Sequence, residues 1–480
     1  MRRRIKWLSL MLCVLLALAA ALPTIGEEGA PAAPAEPSGP SEPSEPSTGD
    51  EPTPSGPVDP AKPKRNSVPA HFPTPTPDPF TILDEEGNPI ELTAEEIARI
   101  QAGLDEEKAR IAEENARIEE ENSARFAALK EQYLYKAPKQ ITISFVGDCT
   151  LGNTPLQRSA QPDNCFDKYI ETQGKAYPFE KVRYILQNDD LTVANLEGVL
   201  YDSEKGRVNK TYNFRGPTDY VDILTLASIE AVNIGNNHSL DYGPEGEAST
   251  IRTLEAAGVH WFGVNEAADG VYVFEKDGIR FGFMGMYYSY WAKGGKISEG
   301  IKAGLQKLKD AKCDFIIACM HGGVEYDTRH DDSQQKMVNW LYKYGADMVI
   351  GHHTHTLQGM KTDNGRTIFW SLGNFSFGGN PYLNYKNPAR NRVVNLDTAV
   401  VQITFSFDEN NVYLGHQINL IPCFVTGGKD YNNYQPIPVT GEKADRVIKT
   451  IQDDSRPMKL QPYIEGLGAL QDFIPAPKAK

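Results

Sequence analysis

The stretch Asp347-Met-Val-Ile-Gly-His-His-Thr-His355, followed by Ser371-Leu-Gly-Asn-Phe375, decides how the rest of this 480-residue chain is interpreted. The apolar run from Met348 to Ile350 predicts a buried strand, which is expected to break at Gly351 into three histidines within four positions. Imidazole is a good ligand for zinc, manganese and iron, so the cluster favours a metal site. The alternative is a histidine-rich surface loop, and the choice depends on whether other strand ends supply further ligands.

Short apolar runs separated by helix-like stretches continue along the chain, and this alternation predicts a layered α/β fold. The predicted strands are 141–146, 191–194, 231–234, 280–284, 315–318, 348–350 and 367–370. Helices are expected at 220–229, 246–257 and 300–311. Two later runs, 399–405 and 412–418, are joined by a turn and predict a β-hairpin that extends the sheet.

Five of the predicted strands end in side chains that can bind a metal or donate hydrogen bonds. These are Asp148, then Asn195 and Glu197, then His238 and Asp241, then His321 and Glu325, and finally His352, His353 and His355. Singly, each has a structural explanation, such as a helix cap for Asp148 or a satisfied buried histidine for His321. Because the carboxyl ends of strands form the ligand crevice of open α/β sheets, the five together predict a metal site. Oxygen and nitrogen donors in one set favour a two-metal hydrolytic centre over a structural zinc.

The charge and the cysteines narrow the choice of partners and of compartment. A net charge of −15 argues against nucleic acid or an anionic membrane surface as the main partner, since both require a basic face. Five cysteines follow Cys13, and in an exported chain Cys149 and Cys165 are the expected disulfide. Cys313 and Cys319 are expected to be buried thiols.

The first 80 residues predict export rather than a folded core. Residues 1–26 carry a basic segment, an apolar run and small residues, as a secretion signal or a membrane anchor does. The apolar run is shorter than the roughly 20 residues of a comfortable span, which favours cleavage and leaves an anchor as the alternative. The rest of the chain is therefore expected outside the cytoplasm, with membrane contact only through this segment. Residues 27–80 are rich in Pro, Ser, Glu and Thr and predict a disordered linker.

Residues 92–133 predict one long acidic helix that begins with a capping box formed by Thr93 and Glu96. One apolar stripe recurs every seven residues, at Ile97, Leu104, Ile111 and Ile118, but the second stripe of a strong coiled coil is incomplete. The helix is expected to be a solvated spacer or to pack one edge on a neighbour, with a dimeric stalk as the alternative. The tail, residues 426–480, predicts one short helix at 442–452 and shows no chemistry.

Within residues 140–425 the motifs resemble those of the CapA/PgsA-type capsule proteins, which are linked to poly-γ-glutamate synthesis and belong to the calcineurin-like metallophosphoesterase superfamily. The motifs are Phe145-Val-Gly-Asp148, Asn195-Leu-Glu197-Gly, Asn213-Phe-Arg215-Gly-Pro217, Gly235-Asn-Asn-His238-Ser-Leu-Asp241-Tyr-Gly, His321-Gly-Gly-Val-Glu325-Tyr, Gly351-His-His-Thr-His355 and Ser371-Leu-Gly-Asn374-Phe. The resemblance implies a metallophosphatase-like layered α/β sandwich and two divalent ions, either manganese, iron or zinc. It also implies a phosphoester or an anionic γ-glutamyl polymer as substrate, and membrane proteins of capsule synthesis as partners.

The resemblance also implies a role for each motif residue. Asp148 and His355 would bind the first metal, Glu197 would bridge, and Asn237, His321 and His353 would bind the second. His238 would be the general acid, oriented by Asp241. The implied substrate contacts are Arg215, Asn195, Glu325, His352 and Asn374, of which the last three are equally expected to support the ligands.

Two positions depart from the family's pattern, and the function has alternatives. Thr150 stands where the superfamily has a metal-binding histidine, so the first ion is expected to bind weakly or to be absent. Gly322 replaces a common aromatic residue and is expected to open the pocket. The chain is expected to be an exported metal-dependent hydrolase. The alternatives are a non-catalytic subunit that binds or exports the polymer and, beyond that, a wall-spanning adaptor.

Overall fold

A computed structural model describes residues 82–83, 89–263, 270–288, 297–380, 395–428, 431–455 and 458–477. The predicted signal segment and the predicted linker lie outside these residues. Within these ranges, no helix combines the length and the apolar character that a membrane crossing requires. The chain divides into two compact units, Met1–Ala109 and Arg110–Lys480.

The strands are β1 (Ile82–Leu83), β2 (Pro89–Ile90), β3 (Lys139–Thr150), β4 (Leu191–Leu196), β5 (Val199–Leu200), β6 (Arg215–Gly216), β7 (Ala231–Asn233), β8 (His260–Phe262), β9 (Val271–Lys276), β10 (Ile279–Tyr287), β11 (Phe315–His321), β12 (Met348–His352), β13 (Met360–Asp363), β14 (Arg366–Phe369), β15 (Asn374–Phe377), β16 (Asp397–Phe407), β17 (Tyr413–Phe424), β18 (Ile437–Pro438), β19 (Ala469–Leu470) and β20 (Ile474–Pro475). The α-helices are α1 (Ala94–Tyr133), α2 (Pro155–Ala160), α3 (Phe166–Gln173), α4 (Arg183–Leu186), α5 (Val221–Leu226), α6 (Gly243–Ala256), α7 (Ile297–Asp310), α8 (Asp332–Tyr344) and α9 (Gly441–Asp453).

The described part of the first unit holds the antiparallel pair β1–β2 and the start of α1. The predicted capping box is present at that start. The backbone N–H of Glu96 donates to Thr93 Oγ1 at 3.3 Å, and the backbone N–H of Thr93 donates to Glu96 Oε2 at 3.0 Å. Two of the N–H groups that a helix start leaves unpaired are satisfied in this way.

Two large sheets form the core of the second unit, which also holds the two-stranded pair β5–β6. One of the large sheets has ten strands: seven follow the order β18-β17-β16-β3-β4-β7-β8, β15 pairs with β3, and β19 and β20 pair with β17. Strands β3, β4, β7 and β8 are parallel, and the hairpin β16–β17 is added antiparallel to β3. The other has the order β13-β14-β12-β11-β10-β9, with β10, β11, β12 and β14 parallel. The late hairpin therefore extends a sheet as predicted.

The sheets face each other across one apolar core and carry helices on their outer faces. Strand β11 shows the pattern, because Phe315, Ile317 and Cys319 point into the core between the sheets while Ile316, Ala318 and Met320 lie against α7 and α8. This alternation follows from the two-residue period of a strand. Rings of the two sheets meet directly, with Phe281 and Phe405 centroids 5.0 Å apart. The predicted layered α/β sandwich is confirmed.

The register of the parallel strands brings the predicted site residues to one end of both sheets. Asp148 on β3 pairs with Asn195 on β4, and Asn374 on β15 pairs with Asp148. His321 on β11 pairs with His352 on β12. Polar residues far apart in sequence are thus neighbours across strand pairs.

The predicted break at Gly351 is wrong, because β12 continues to His352. A side chain at position 351 would place its Cβ 1.9 Å from the carbonyl oxygen of Trp370, so glycine is required for the approach of the next segment. Gly351 thus allows close packing within the strand and does not end it.

The predicted Cys149–Cys165 disulfide is also wrong, since both thiols are free. Cys149 points into the core below the site, where its Sγ donates to the carbonyl of Gly147. Cys165 precedes the first residue of α3, and its Sγ donates to the carbonyl of Pro162. Each thiol therefore donates to the carbonyl of a residue two or three positions earlier, and the two sulfurs are not bonded to each other.

The C-terminal part of α1 belongs to the second unit and packs against the segment of that unit that carries Arg183 and Tyr184. Phe126 is 1% exposed and meets the ring of Tyr184 edge-on, with centroids 6.0 Å apart. Arg183 Nε donates to Glu119 Oε1 at 2.6 Å. Ile118, a member of the predicted apolar stripe, is 37% exposed, so another face of the helix makes the contact.

Candidate metal centre

Two groups of side chains at this end of the sheets have ligand atoms within 4.8 Å of one another, and both groups include Glu197. One group is Glu197, His321 and His353, and the other is Asp148, Glu197 and His355. The ten-stranded sheet supplies the carboxylates, and the six-stranded sheet supplies the imidazoles. Two adjoining donor sets that share a carboxylate suit a pair of cations.

Glu197 lies immediately after β4 and is fully buried. Neither carboxylate oxygen has a hydrogen-bond partner among the described residues. Oε1 lies 3.6 Å from His321 Nε2 and Oε2 lies 4.0 Å from His355 Nδ1. Burial, and after it the charge of Asp148, raise the pKa of Glu197 well above its usual value. A buried carboxylate without partners is costly, and a cation between these donors would remove that cost, so the residues fit a metal.

Asp148 has the opposite electrostatic character. Burial opposes its ionisation, but hydrogen bonds to His352 and His355, together with electrostatic interactions with His352 and His321, hold the pKa of Asp148 well below its usual value. Its Oδ1 accepts from Asn195 Nδ2 at 2.8 Å, and its Oδ2 accepts from the backbone N–H of His353 at 3.3 Å. Asp148 is therefore an oriented, ionised carboxylate, which is the form that binds a metal.

The imidazoles of His321 and His353 are neutral, the form in which histidine binds metals. Burial, and then the neighbouring His353, hold the pKa of His321 well below its usual value. Burial and His355 lower the pKa of His353 to about 3. His321 Nε2 lies 3.1 Å from His353 Nδ1 and 2.7 Å from Asn237 Oδ1, so these three predicted ligands of one metal are together.

His355 differs because it faces both carboxylates. Burial would lower its pKa, but Glu197 and then Asp148 raise the pKa of His355 to about 10. Its Nδ1 also lies 2.9 Å from Asn374 Oδ1. The backbone of the loop is strained at both ligands, with φ of 94° at His353 and 55° at His355. Such conformations persist where the surroundings enforce them, and they concentrate at functional sites.

The predicted acid His238 lies beside this centre. Its Nδ1 is 2.7 Å from Asp241 Oδ2 and its Nε2 is 3.7 Å from Glu197 Oε1. The ring of Phe214 covers it, with centroids 4.2 Å apart. Burial lowers the pKa of His238 even though Asp241 acts in the other direction. His238 is thus a neutral imidazole with one nitrogen fixed by a carboxylate and the other directed at the site.

Lys210 and Asn236 contribute to the site and were not predicted. Lys210 forms an ion pair with Asp241 and its Nζ donates to the carbonyl of Asn237 at 2.8 Å. Asn236 Oδ1 accepts from the backbone N–H of His238 at 3.0 Å. Asn236 stands in the motif beside His238 and could have been included on that ground. Lys210 gives no sequence signal, because the fold of the loop before Asn213 brings it to the site.

Three of the residues predicted to contact substrate instead lie against the proposed metal ligands Asp148 and His355. Asn195 and Asn374 are buried and bond to Asp148 and His355 as described, and His352 Nδ1 lies 3.4 Å from Asp148 Oδ1. Their positions suit orientation of the metal-binding groups. A contact of these residues with substrate stays a prediction.

Arg215 and Glu325 were also predicted to contact substrate. The Arg215 guanidinium donates to the carbonyl of Tyr201 at 2.7 Å and pairs with Glu204, so it is held by its own loop. Glu325 is exposed, and its charge acts on Glu197 and His355, which places it near the opening of the site. Substrate binding by either residue stays a prediction.

Thr150, which replaces the expected histidine, is buried two residues beyond Asp148. Its Oγ1 has no hydrogen-bond partner among the described residues. The donor group of Asp148, Glu197 and His355 is assembled without it. Weak binding of the first ion stays a prediction.

The family model described as bacterial capsule synthesis protein PGA_cap matches residues 142–379. Capsule biosynthesis protein CapA of Bacillus anthracis is 26% identical over 264 residues, which cover 51% of this chain and 61% of that protein. PGA biosynthesis protein CapA of Bacillus subtilis (strain 168) is 26% identical over 253 residues, which cover 49% of this chain and 63% of that protein. The chain thus spans about three fifths of the length of these curated relatives. The resemblance to the capsule proteins, inferred from the motifs, is confirmed.

Two solved structures align with this chain at low similarity. One is described as a novel phosphatase from Mycoplasma pneumoniae. It is 15% identical, with a TM-score of 0.32, and the match covers 62% of this chain and 96% of that chain. The other, a hypothetical protein from Thermus thermophilus, is also 15% identical, with a TM-score of 0.35, and the match covers 59% of this chain and 99% of that chain.

Proposed function

Since residues 142–379 make this chain a member of the bacterial capsule synthesis protein PGA_cap family, we propose that it is a metal-dependent hydrolase of capsule synthesis. The bond that it cleaves is a phosphoester or a γ-glutamyl amide in an anionic polymer. The observation that carries the proposal is the position of Glu197. Its unpartnered carboxylate belongs to both donor groups and lies 3.7 Å from the imidazole of His238, the proposed acid.

The donor groups define which residues would hold the metals. Asp148 and His355 would bind one divalent ion, His321, His353 and Asn237 the other, and Glu197 both. Manganese, iron and zinc all accept such mixed oxygen and nitrogen ligands. When bound, the ions would supply Lewis-acid polarisation of the bond to be cleaved.

The chain's own contribution to catalysis is control of a proton. With its Nδ1–H donated to Asp241, His238 has Nε2 free to take up the proton that the attacking water loses and to transfer it to the leaving group. Asp241 is fixed in turn by the backbone N–H of Phe214 at 2.6 Å and by Lys210. Phe214 covers the imidazole and excludes water from one of its faces. These contacts hold the acid in one tautomer and one orientation.

A second proposal concerns location and partners. We propose that the hydrolase works outside the cytoplasm, beside the membrane proteins of capsule synthesis, and that residues 1–26 are its secretion signal or its anchor. The support is the pattern of basic, apolar and small residues in that segment. N-terminal sequencing of the mature protein separates the two outcomes, because an anchored protein begins before the apolar run and a secreted one after it.

The hydrolase proposal is tested by comparing metal content and turnover in the full-length protein. The metal is measured by plasma mass spectrometry, and the substrates are bis(p-nitrophenyl) phosphate and a γ-glutamyl p-nitroanilide. We expect bound manganese, iron or zinc, and turnover of one substrate that falls by about 100-fold or more in His238→Ala with metal retained. His260→Ala, an exposed histidine on β8, is the matched control and should be unaffected.

Two results would contradict the proposal in different ways. Bound metal without turnover of either substrate would favour a subunit that only binds the polymer. Wild-type protein that binds no divalent metal would exclude both the hydrolase and a metal-based polymer grip.

A further inference from the structure

The end of α9, in the tail outside the family match, reaches the segments that carry the metal-binding histidines. Asp454 Oδ2 accepts from the backbone N–H of His330 at 3.1 Å and from the backbone N–H of Gly359 at 3.4 Å. The same carboxylate lies 3.0 Å from His330 Nδ1. Next to it, Ser455 Oγ accepts from the backbone N–H of Met360 at 2.8 Å. We call these five residues the C-terminal latch.

The C-terminal latch packs tightly against Gly359, where a side chain has no room. A Cβ at Gly359 would lie 2.2 Å from the carbonyl oxygen of Asp454. Asp454 itself is 8% exposed at its side chain, whereas the adjacent Asp453 is 54% exposed and pairs with Lys449 on the same helix. Only one of two neighbouring aspartates is therefore built into the contact.

From the latch, hydrogen bonds lead directly to the strained histidine loop. The loop after β11 ends at His330. Its residues form hydrogen bonds with Thr354 and Gln358, which lie in the chain between His353 and Gly359. Tyr326 N–H donates to the carbonyl of Thr354 at 2.7 Å, and Gln358 Nε2 donates to the carbonyls of Asp327 and Arg329, each at 3.0 Å. Thr354 lies between His353 and His355, whose positive φ angles need external support.

A second path runs from the latch to the segment of Asn374. The His330 ring stacks on Trp370, with centroids 4.0 Å apart and planes 4° from parallel. The backbone N–H of Trp370 donates to the carbonyl of Gly359 at 3.0 Å. Asn374, four residues beyond Trp370, bonds to His355. Both paths therefore end at the histidine loop.

We propose that Asp454 is a positioning residue for the metal centre: by fixing His330 and Gly359 it holds the His353–His355 loop in the strained conformation that binds the ions. This inference rests on the proposed function in requiring metal binding, and it deepens that function by making the tail part of the site. Asp454 belongs to neither donor group, so its effect on the ions would be indirect. Groups that orient ligands affect metal affinity strongly even when they do not bind the ion.

The test measures Mn²⁺ and Zn²⁺ affinity by calorimetry in the full-length protein after removal of metal with EDTA. Asp454→Ala is expected to weaken binding by about tenfold, the lower end of the range for groups that support ligands. Asp453→Ala, the exposed neighbour, is the matched control and should bind like wild type. Val447→Ala, which removes a fully buried side chain from the same helix, controls for loss of stability alone.

The outcomes separate this inference from the proposed function. If wild type binds no metal, the proposed function fails. If wild type binds and Asp454→Ala binds equally well, or if Val447→Ala weakens binding as much, only the latch is wrong. Should Asp454→Ala fail to fold, Asp454→Asn decides: its single carbonyl oxygen cannot serve all the donors of the carboxylate, so weaker binding supports the latch and unchanged binding overturns it.

Discussion

At the scale of single residues, Glu197 is surrounded by donors for a cation while neither of its oxygens has a hydrogen bond among the described residues. We predict that Glu197→Gln stabilises the metal-free protein by about 1–2 kcal/mol, because a neutral amide replaces a buried carboxyl whose charged form has no hydrogen bond among the described residues. The same change should abolish stabilisation by added Mn²⁺. Thermal unfolding with EDTA and with Mn²⁺ measures both effects. A variant that is less stable in EDTA would show that Glu197 has a partner in the metal-free protein.

Lys210 supplies the second prediction at this scale. Lys210→Met removes the positive charge beside Asp241 and the donor to the Asn237 carbonyl. We expect turnover to fall by about tenfold with metal content unchanged, since the residue orients the acid and binds no metal. Lys205→Met, at an exposed position of the same loop, is the control. Equal turnover of the two variants would remove Lys210 from the catalytic machinery.

Asp189 lies at the opposite end of the strands from the candidate metal centre, and its burial predicts that the stability of the protein depends on pH. Burial raises its pKa to about 7, although hydrogen bonds from Ser144 and Thr192 oppose the shift. The folded protein thus binds this proton more tightly than the unfolded chain, whose aspartates titrate near pH 4. The stability that Asp189 contributes is complete below about pH 4 and is lost as the pH rises through about 7.

Asp189→Asn stays neutral and can still accept the hydrogen bond from Thr192. We expect it to raise the free energy of unfolding by about 1 kcal/mol at pH 8 and to change little at pH 4, as measured by urea unfolding at both values. Asp163→Asn, at an exposed position, should show no such difference. A gain of equal size at both pH values would mean that the effect does not come from ionisation.

At the scale of elements, α1 shows how much one face of a helix contributes to the free energy of unfolding. Phe126→Ala should lower the free energy of unfolding by about 3 kcal/mol, because it leaves a cavity against Tyr184. Ile118→Ala, on the exposed stripe, should cost no more than about 0.5 kcal/mol. Urea unfolding compares the two variants. Similar losses would mean that the seven-residue stripe and not Phe126 makes the stabilising contact.

The same helix shows where sequence reasoning was sufficient and where it was not. The capping box that begins α1 and the apolar runs of β3, β4, β11 and β12 depend on neighbours in sequence, and these elements were predicted. The face of α1 that packs, the free thiols of Cys149 and Cys165, and the arrival of Lys210 and Asp454 depend on neighbours in space. Helix α8 was missed although Asp331 and Gln334 form a capping box, a signal that was present in the sequence.

At the scale of the whole molecule, the proposed metal ligands come from two different sheets, so bound ions would join the layers at one end. Asp148 and Glu197 lie at the ends of strands of the ten-stranded sheet, while His321, His353 and His355 lie at the ends of strands of the six-stranded sheet. We predict that Mn²⁺ slows hydrogen exchange at the carboxyl ends of strands in both sheets together and raises the free energy of unfolding by about 2.7 kcal/mol at 100 times its dissociation constant. Glu197→Gln should show neither effect, since it weakens both donor groups. Protection confined to the histidine loop would mean that the ions bind without joining the sheets, and that the two carboxylates have another purpose.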